Sequence, residues 1–199
     1  KNFSKLPLRL IQVTARSVGW LLYVSNSSAR RVTEINLKSA YPELSESERD
    51  QLTKRSLKSQ CMTYAESVKI WGSAPEFALE QIKAVHGKDI FLDALQNPNG
   101  TLAVVPHFGT WELMNAWVNL HTAPVIMYKP SKNPDVDRFM LEARQRLNAT
   151  LVPTDETGVR ALFKHLKQGG FAAILPDHVP KESGGIYSPF FGQNVLSST

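Results

Sequence analysis

The sequence predicts an α/β protein: a central, mostly parallel sheet flanked by helices, preceded by an N-terminal helical segment that associates with a membrane. From residue 89 onward, short apolar runs alternate with stretches of helical periodicity, as in parallel strands joined by helices. Before that point the apolar residues recur with helical spacing, and basic residues accumulate. We therefore divide the chain into a helical segment, residues 1–75, and an α/β core, residues 76–199.

Composition excludes several classes of protein. Apolar residues make up 42% of the 199, which is ordinary for a globular domain and too high for a disordered chain. The single cysteine, Cys61, excludes an internal disulfide framework and a multi-cysteine metal site. We find no signal peptide and no uncharged apolar run of about 18 residues, the length that a transmembrane helix needs.

The positive charge is concentrated at the N-terminus. Residues 1–38 carry seven Lys or Arg side chains, Lys1 among them, against the single acid Glu34, so this segment has a net charge of +6 whereas the whole chain has +5. A basic end beside apolar residues favours an anionic partner, either a membrane surface or a nucleic acid. No helix-turn-helix, zinc-finger or RNA-binding signature is present, which argues against nucleic acid.

Residues 7–24 predict the membrane-associating helix. Arg9 and Arg16 are two turns apart and share one face of the helix, while most of the other residues are apolar. Such a helix can lie in a bilayer interface with its arginines among the headgroups and with Trp20 and Tyr23 at the boundary. The alternative is an ordinary amphipathic helix packed on the protein.

Residues 45–71 predict a long helix. Ser45 and Glu48 form an S-x-x-E capping box at its start, and Gly72 and Pro75 end it. Its apolar stripe is predicted to be core, and it consists of Leu57, Cys61, Tyr64, Val68 and Trp71.

The α/β core follows in order along the chain. A helix over 89–96 and an Asn-Pro-Asn-Gly turn precede the first apolar run, which suits a buried strand. The predicted strands cover 101–105, 123–128, 150–152 and 171–175. The predicted helices between them cover 111–120, 134–147 and 157–168, the last of which ends at two glycines.

Polar side chains follow three of the predicted strands, where sites form in open α/β sheets. His107 comes directly after the first strand, and Glu112 lies in the first turn of the next helix, so that its carboxylate can fold back to the imidazole. Such a pair makes a general base for an alcohol, although a histidine and a glutamate five residues apart can also be purely structural. His107, Glu112 and His178 could be imagined as metal ligands, but no metal-binding spacing supports this, and we predict no metal.

Other catalytic signatures are missing. There is no G-x-S-x-G elbow of the usual α/β serine hydrolases. No P-loop or G-x-G-x-x-G follows a strand, which argues against a nucleotide cofactor. We predict no cofactor.

The ordered set of motifs resembles one family along essentially the whole chain. His-x-x-x-x-Glu within Pro-His-Phe-Gly-Thr-Trp-Glu is similar to the signature of glycerolipid and lipid A acyltransferases, in its lipid A late acyltransferase form. Residues 30–49, with Arg-Arg, Asn-Leu, Tyr-Pro-Glu and Ser45 to Arg49 in order, resemble that branch's N-terminal segment. Tyr128-Lys129-Pro130, Arg144, Pro176-Asp177-His178 and Pro189-Phe190-Phe191-Gly192 resemble its later blocks, although Lys129 stands where arginine is common. The resemblance implies further residues after Thr199.

The resemblance implies a reaction and a set of roles. Members of that family transfer an acyl chain from acyl carrier protein, which is acidic as a class, to a hydroxyl of a lipid A precursor. By this resemblance His107 deprotonates the hydroxyl, Glu112 orients His107, and Arg144 stabilises the developing negative charge or grips a phosphate. The substrate-binding candidates are Tyr128, Lys129 and Asp177. The implied location is the cytoplasmic face of the inner membrane.

Alternatives remain at this stage. Arg144 could be a surface arginine, and Asp177 could position Arg144 or cap a turn. The acceptor could be another membrane glycolipid or a lysophospholipid, because the same catalytic pair serves both. A non-catalytic basic membrane-binding module is the rival from another class.

Overall fold

A computed structural model describes residues 3–177, 179–180 and 182–198, which form two compact units. One unit comprises residues 3–69 and 179–198, and the other comprises residues 70–177. The described α-helices are α1 (Leu8–Val24), α2 (Ser28–Ala40), α3 (Glu46–Trp71), α4 (Pro75–Gln81), α5 (Lys88–Ala94), α6 (Glu112–Val118), α7 (Pro134–Arg144) and α8 (Glu156–Leu166). The described strands are β1 (Thr101–Val104), β2 (Val125–Tyr128), β3 (Thr150–Pro153), β4 (Phe171–Ile174), β5 (Gly185–Phe190) and β6 (Gln193–Ser198).

The second unit is built on a four-stranded parallel sheet, which confirms the predicted α/β class. The strand order is β1-β4-β2-β3, so β1 and β4 are neighbours although the intervening chain contains β2 and β3. Their register runs from Thr101 opposite Phe171 to Val104 opposite Ile174. This order brings the carboxyl ends of β1 and β4 side by side.

Helices cover both faces of this sheet. One core cluster joins Val118 of α6 to Ile126 and Phe171. The other joins Leu162 of α8 to Val125 and Ala172. The fold therefore buries apolar side chains on each side of the sheet, as parallel sheets require.

Strand β1 differs from the prediction of a buried strand. It is an edge strand, and its Leu102 and Val104 are 43% and 65% exposed. The reason is the strand order, since α8 packs on β2, β3 and β4. The apolar composition of the run identified a strand but not its place in the sheet.

In the first unit, α1 packs on α3 through small residues. Ile11, Ala15 and Gly19 are the buried residues of α1, spaced four apart on one face. A Cβ on Gly19 would lie 2.6 Å from the Lys58 Cα atom and 2.9 Å from the Leu57 carbonyl oxygen. Close approach of the two helices therefore requires glycine here.

The long helix and its cap agree with the prediction, but its apolar stripe is not the predicted core: of those five residues only Leu57 is buried, and Tyr64 is 68% exposed. The Ser45 N–H donates to Glu48 Oε2 over 2.9 Å, and the Glu48 N–H donates to Ser45 Oγ over 3.3 Å. The Ser45 hydroxyl also donates to Glu48 Oε2 over 2.6 Å, and this bond, followed by the one from the Ser45 N–H, lowers the pKa of Glu48. Cys61 is only half-buried, and this burial raises the pKa of its thiol.

Two parts of the first unit were not predicted. Helix α2 buries none of its residues, and its start is capped by Ser27, whose hydroxyl accepts the Arg30 N–H. Strands β5 and β6 form an antiparallel hairpin around Phe191 and Gly192, both with positive φ, as a type I′ turn requires.

The outer side of α1 is apolar as well. Leu10, Val13, Leu21 and Val24 are each half exposed or more. Together with Trp20 they fall within an arc of roughly 100° at 100° per residue, with Arg9 and Arg16 along one border. Tyr23 is outside this arc, and its hydroxyl donates to Asp50 of α3 over 2.7 Å. This contact differs from the predicted position of Tyr23 at a lipid boundary. Among the described helices, none is long and apolar enough to cross a membrane.

Candidate active site

His107 is held by Asp177 at the carboxyl edge of the parallel sheet. Asp177 Oδ1 lies 2.8 Å from His107 Nδ1, and Asp177 Oδ2 accepts the His107 backbone N–H over 2.7 Å. The two residues are 70 positions apart but follow the neighbouring strands β1 and β4. Because a carboxylate only accepts, this contact places the proton on Nδ1 and leaves Nε2 as the basic nitrogen.

The electrostatics of Asp177 follow from these bonds. Partial burial acts to raise the pKa of Asp177, but the hydrogen bonds from the His107 ring and backbone outweigh it, and the pKa lies below its usual value. Asp177 is therefore a carboxylate near neutral pH. Both side chains remain more than a third exposed, so His107 is accessible from solvent.

Glu112 pairs with Arg144 in the described contacts. Glu112 is the first residue of α6 and Arg144 the last of α7, and Arg144 Nη2 donates to Glu112 Oε1 over 2.7 Å. Their side chains are only 3% and 8% exposed, so the alternative of a surface arginine is wrong. In the described contacts Asp177, not Glu112, bonds His107 Nδ1. A role of Glu112 in orienting His107 stays a prediction.

Trp111 lies against both polar pairs. The Arg144 guanidinium carbon is 4.7 Å from the centroid of the Trp111 ring, within the range of a cation–π contact. The ring centroids of Trp111 and His107 are 6.4 Å apart, with their planes nearly perpendicular at 83°. Nothing in the sequence marked Trp111 beyond its place between His107 and Glu112.

The substrate-binding candidates on β2 have different surroundings. The Tyr128 hydroxyl donates to Asp137, which also accepts the Ser131 N–H over 2.6 Å, so this hydroxyl fixes the loop that leads into α7. Lys129 is exposed, and within the described part of the chain no hydrogen bond or ion pair holds its ammonium group. Lys129 can therefore meet an anionic group from solvent.

A cavity of about 330 Å³ adjoins the end of β2. Its lining includes Tyr128 and Pro130, Leu141 of α7, Gln145 directly after α7, and Leu151 and Val152 of β3. Most of the side chains that line it are apolar; Gln145 and the engaged hydroxyl of Tyr128 are the polar side-chain groups among them. Such a cavity suits a hydrocarbon chain better than a polar ligand.

His107, Glu112 and His178 were considered as possible metal ligands, and the structure describes only the first two. His178 lies outside the described residues. Among the residues that are described, no three His, Cys, Asp or Glu side chains converge as metal ligands do.

The pairing of His107 with Asp177 was not predicted. It depends on β1 and β4 being neighbours in the sheet, and no short-range spacing in the sequence indicates this.

These features describe an α/β protein with a histidine–carboxylate pair at the carboxyl edge of a parallel sheet. Residues 2–199 match the sequence profile of the bacterial lipid A biosynthesis acyltransferases, and the chain belongs to this family. The family match confirms the resemblance found in the motifs.

Individual relatives agree with the family. The chain is 25% identical to a lipid A biosynthesis acyltransferase of Haemophilus influenzae, over 94% of the chain and 59% of the relative. It is 25% identical to the lipid A biosynthesis lauroyltransferase of Escherichia coli, over 98% of the chain and 63% of the relative. A lipid A biosynthesis palmitoleoyltransferase of Escherichia coli is 24% identical, over 82% of the chain and 53% of the relative. The chain thus spans less than two thirds of the length of these relatives.

Proposed function

We propose that this protein transfers a fatty acyl group from an acyl carrier protein thioester to a hydroxyl of a lipid A precursor, with His107 as the general base. The hydrogen bond of Asp177 to His107 Nδ1 is the observation that supports it most directly. This bond holds the ring by Nδ1 and leaves Nε2 as its basic nitrogen, the arrangement by which a histidine activates an alcohol. Membership of the family supports the acyl transfer and the acceptor class.

The proposed reaction is a direct attack without an acyl-enzyme. His107 Nε2 accepts the hydroxyl proton as the acceptor oxygen bonds to the thioester carbonyl carbon. The tetrahedral intermediate then expels the thiolate, which takes the proton back from the His107 imidazolium. Asp177 stabilises this imidazolium between the two steps. The reaction needs no metal or redox group.

Negative charge on the thioester oxygen requires a fixed cation or N–H dipoles. Arg144 was predicted for this role, and it would meet the oxygen only if the buried pair with Glu112 opens. In the described geometry Arg144 instead neutralises Glu112 and ties α6 to α7. Lys129 is the exposed cation at the end of β2 that could meet a phosphate of the donor or of the lipid.

The apolar cavity beside Tyr128 is our candidate for part of the acyl chain. Its lining by Leu141, Leu151 and Val152 would bury methylene groups, each of which contributes about 0.8 kcal/mol. Filling it with Leu141→Trp should shift the preferred donor to shorter chains. An unchanged chain-length preference would remove the cavity from the proposal.

The exposed apolar stripe of α1 supports a membrane surface as the place of reaction. An insoluble acceptor is reached most readily by an enzyme that lies on the bilayer, and Arg9 and Arg16 border the stripe where anionic headgroups would lie. Because acyl carrier protein is cytosolic, the proposed location is the cytoplasmic face of the inner membrane.

The test uses the full-length protein, a detergent-dispersed, under-acylated lipid A precursor and acyl carrier protein thioesters of several lengths. Mass spectrometry reports the mass added by the native protein and by His107→Ala, Asp177→Asn and Glu112→Gln. We expect one added acyl mass, abolished in His107→Ala and reduced in Asp177→Asn. The matched controls are His86→Ala and Asp93→Asn, which replace exposed side chains away from the sheet edge.

Each other result has a definite meaning. Donor consumed only with a phospholipid or another glycolipid would move the assignment to that acceptor. Full activity of His107→Ala would exclude the proposed base. Donor left intact with every acceptor would overturn acyl transfer and leave a membrane-binding module as the function to test.

A further inference from the structure

A single indole contacts both polar pairs of the candidate site. Trp111 lies at the start of α6, between the His107 loop and Glu112. Its ring is 4.7 Å from the Arg144 guanidinium carbon and 6.4 Å from the His107 ring centroid. Trp111 thus contacts one member of each pair, Arg144 of one and His107 of the other.

The contact with Arg144 restrains a buried cation. Arg144 is 7% exposed; its Nη2 is bonded to Glu112, and its Nε has no hydrogen-bond partner among the described residues. The face of an indole attracts a guanidinium through the ring quadrupole. Trp111 thus compensates part of the lost hydration and keeps the guanidinium from turning away from Glu112.

The contact with His107 restrains the imidazole. Perpendicular aromatic rings with centroids about 4.5–7 Å apart attract each other, and this pair falls within that range. Asp177 holds the ring at Nδ1. The contact with Trp111 adds a restraint on the tilt of the ring about that atom, and so on where Nε2 lies.

We propose that Trp111 is a positioning residue that holds the His107 ring in its productive orientation and couples it to the Glu112–Arg144 pair. The inference rests on the proposed role of His107 as base. Trp111 itself transfers no proton and forms no bond with substrate. A small displacement of Nε2 is enough to slow the proton transfer, since misplacement by about 1 Å can cost about a hundredfold in rate.

The test compares Trp111→Leu, which removes the aromatic ring, with Trp111→Phe, which keeps one. In the full-length protein we expect Trp111→Leu to lower kcat by at least about tenfold with little change in KM, and Trp111→Phe to retain most of kcat. The midpoint of the pH–rate profile should shift in Trp111→Leu, because the imidazole then loses its contact with the indole while the charged groups of the site, Asp177, Glu112 and Arg144, are retained. Equal kcat and equal midpoints in Trp111→Leu and the native protein would overturn the proposal.

A second measurement does not depend on activity. The ring protons of His107, assigned by comparison with His107→Ala, are followed by NMR through a pH titration. We expect the titration midpoint and shifts of His107 to move in Trp111→Leu and to return towards the native values in Trp111→Phe. The matched control is Trp117→Leu, since Trp117 lies 4.6 Å from a different histidine, His121, in the core.

The two failures are distinguishable. Full activity of His107→Ala would refute the proposed base and leave the NMR result to decide on positioning. A His107 titration that is identical in the native protein, Trp111→Leu and Trp117→Leu would refute positioning by Trp111 whatever the fate of the base. Loss of kcat in Trp111→Leu and Trp111→Phe alike, with the native titration retained, would also refute it.

Discussion

Glu112 and Arg144 connect the first residue of α6 to the last residue of α7 through a 2.7 Å ion pair that is almost fully shielded from water. A buried pair of this kind adds little compared with apolar residues of the same size, because both charges lose their hydration. Breaking it is costly, since one charge is left buried alone. The pair thus makes the two helix ends depend on each other.

Stability measurements should reveal this dependence. We expect Glu112→Gln and Arg144→Met each to lower the free energy of unfolding by about 3–5 kcal/mol, and the double variant Glu112→Gln/Arg144→Met to lose less than the sum. Urea unfolding of the four proteins gives the coupling energy. The control is the exposed pair of Arg160 and Glu156, where Arg160→Ala should change the free energy by about 0.5 kcal/mol or less. Strictly additive losses at Glu112 and Arg144 would contradict the finding.

The bond between Asp177 and His107 predicts a pH dependence. Because the pKa of Asp177 is lowered in the folded protein, its contribution to stability is fully present above its unfolded value, near 3.8, and is lost as the pH falls through the folded value. The native protein should therefore be more stable than Asp177→Asn near neutral pH, and the difference in unfolding free energy is the gap to follow. It should narrow below about pH 4.

Denaturant unfolding of the native protein and of Asp177→Asn at several pH values between about 3 and about 7 measures that gap. Asp93→Asn, an exposed carboxylate of α5, serves as the control. A gap that widens as the pH falls below about 4 would mean that the Asp177 bond is made by the protonated carboxyl, contrary to the argument.

The sequence predicted the strands of the site but not their order. Alternating apolar runs and helices indicate parallel strands, and parallel strands place their carboxyl ends at one edge. Only the order β1-β4-β2-β3 shows that His107 and Asp177 share a corner of that edge. Glu112 was predicted as the partner of His107 because the two are five residues apart and the spacing is visible in the sequence. The contact of His107 with Asp177 joins residues 70 positions apart, and no sequence pattern indicates it.

Local signals explain which helices were found. The capping box of Ser45 and Glu48 and the apolar stripe after it identified α3. Helix α2 has a comparable start, with Ser27 as its cap and the Arg30–Glu34 pair one turn on. Its apolar residues do lie on one face of the helix, but none of them is buried, and no separate helix was predicted for this segment.

The contact of α1 with α3 predicts a sensitive glycine. Gly19→Ala places a methyl group 2.6 Å from the Lys58 Cα atom, and backbone cannot yield as a flexible side chain does. We expect a loss of about 1–3 kcal/mol in the free energy of unfolding, although alanine is the better helix former. Gly184→Ala is the matched control, because an added Cβ there has no neighbour within 4 Å. Thermal unfolding of both variants decides, and a more stable Gly19→Ala would show that the helices do not approach so closely.

The outer face of α1 predicts binding to anionic lipid. Vesicle sedimentation with phosphatidylglycerol should show binding that Leu10→Ser/Val13→Ser/Leu21→Ser weakens by at least tenfold, since each buried leucine contributes about 1.5–3 kcal/mol. Arg9→Gln and Arg16→Gln should each weaken binding by about fivefold, an effect that salt diminishes. The matched control replaces three exposed apolar residues of the other unit, Ile90→Ser/Leu120→Ser/Val136→Ser. Equal weakening by the control would mean that lipid recognises general hydrophobicity, whereas unchanged binding of the α1 variant would remove this face as the membrane contact.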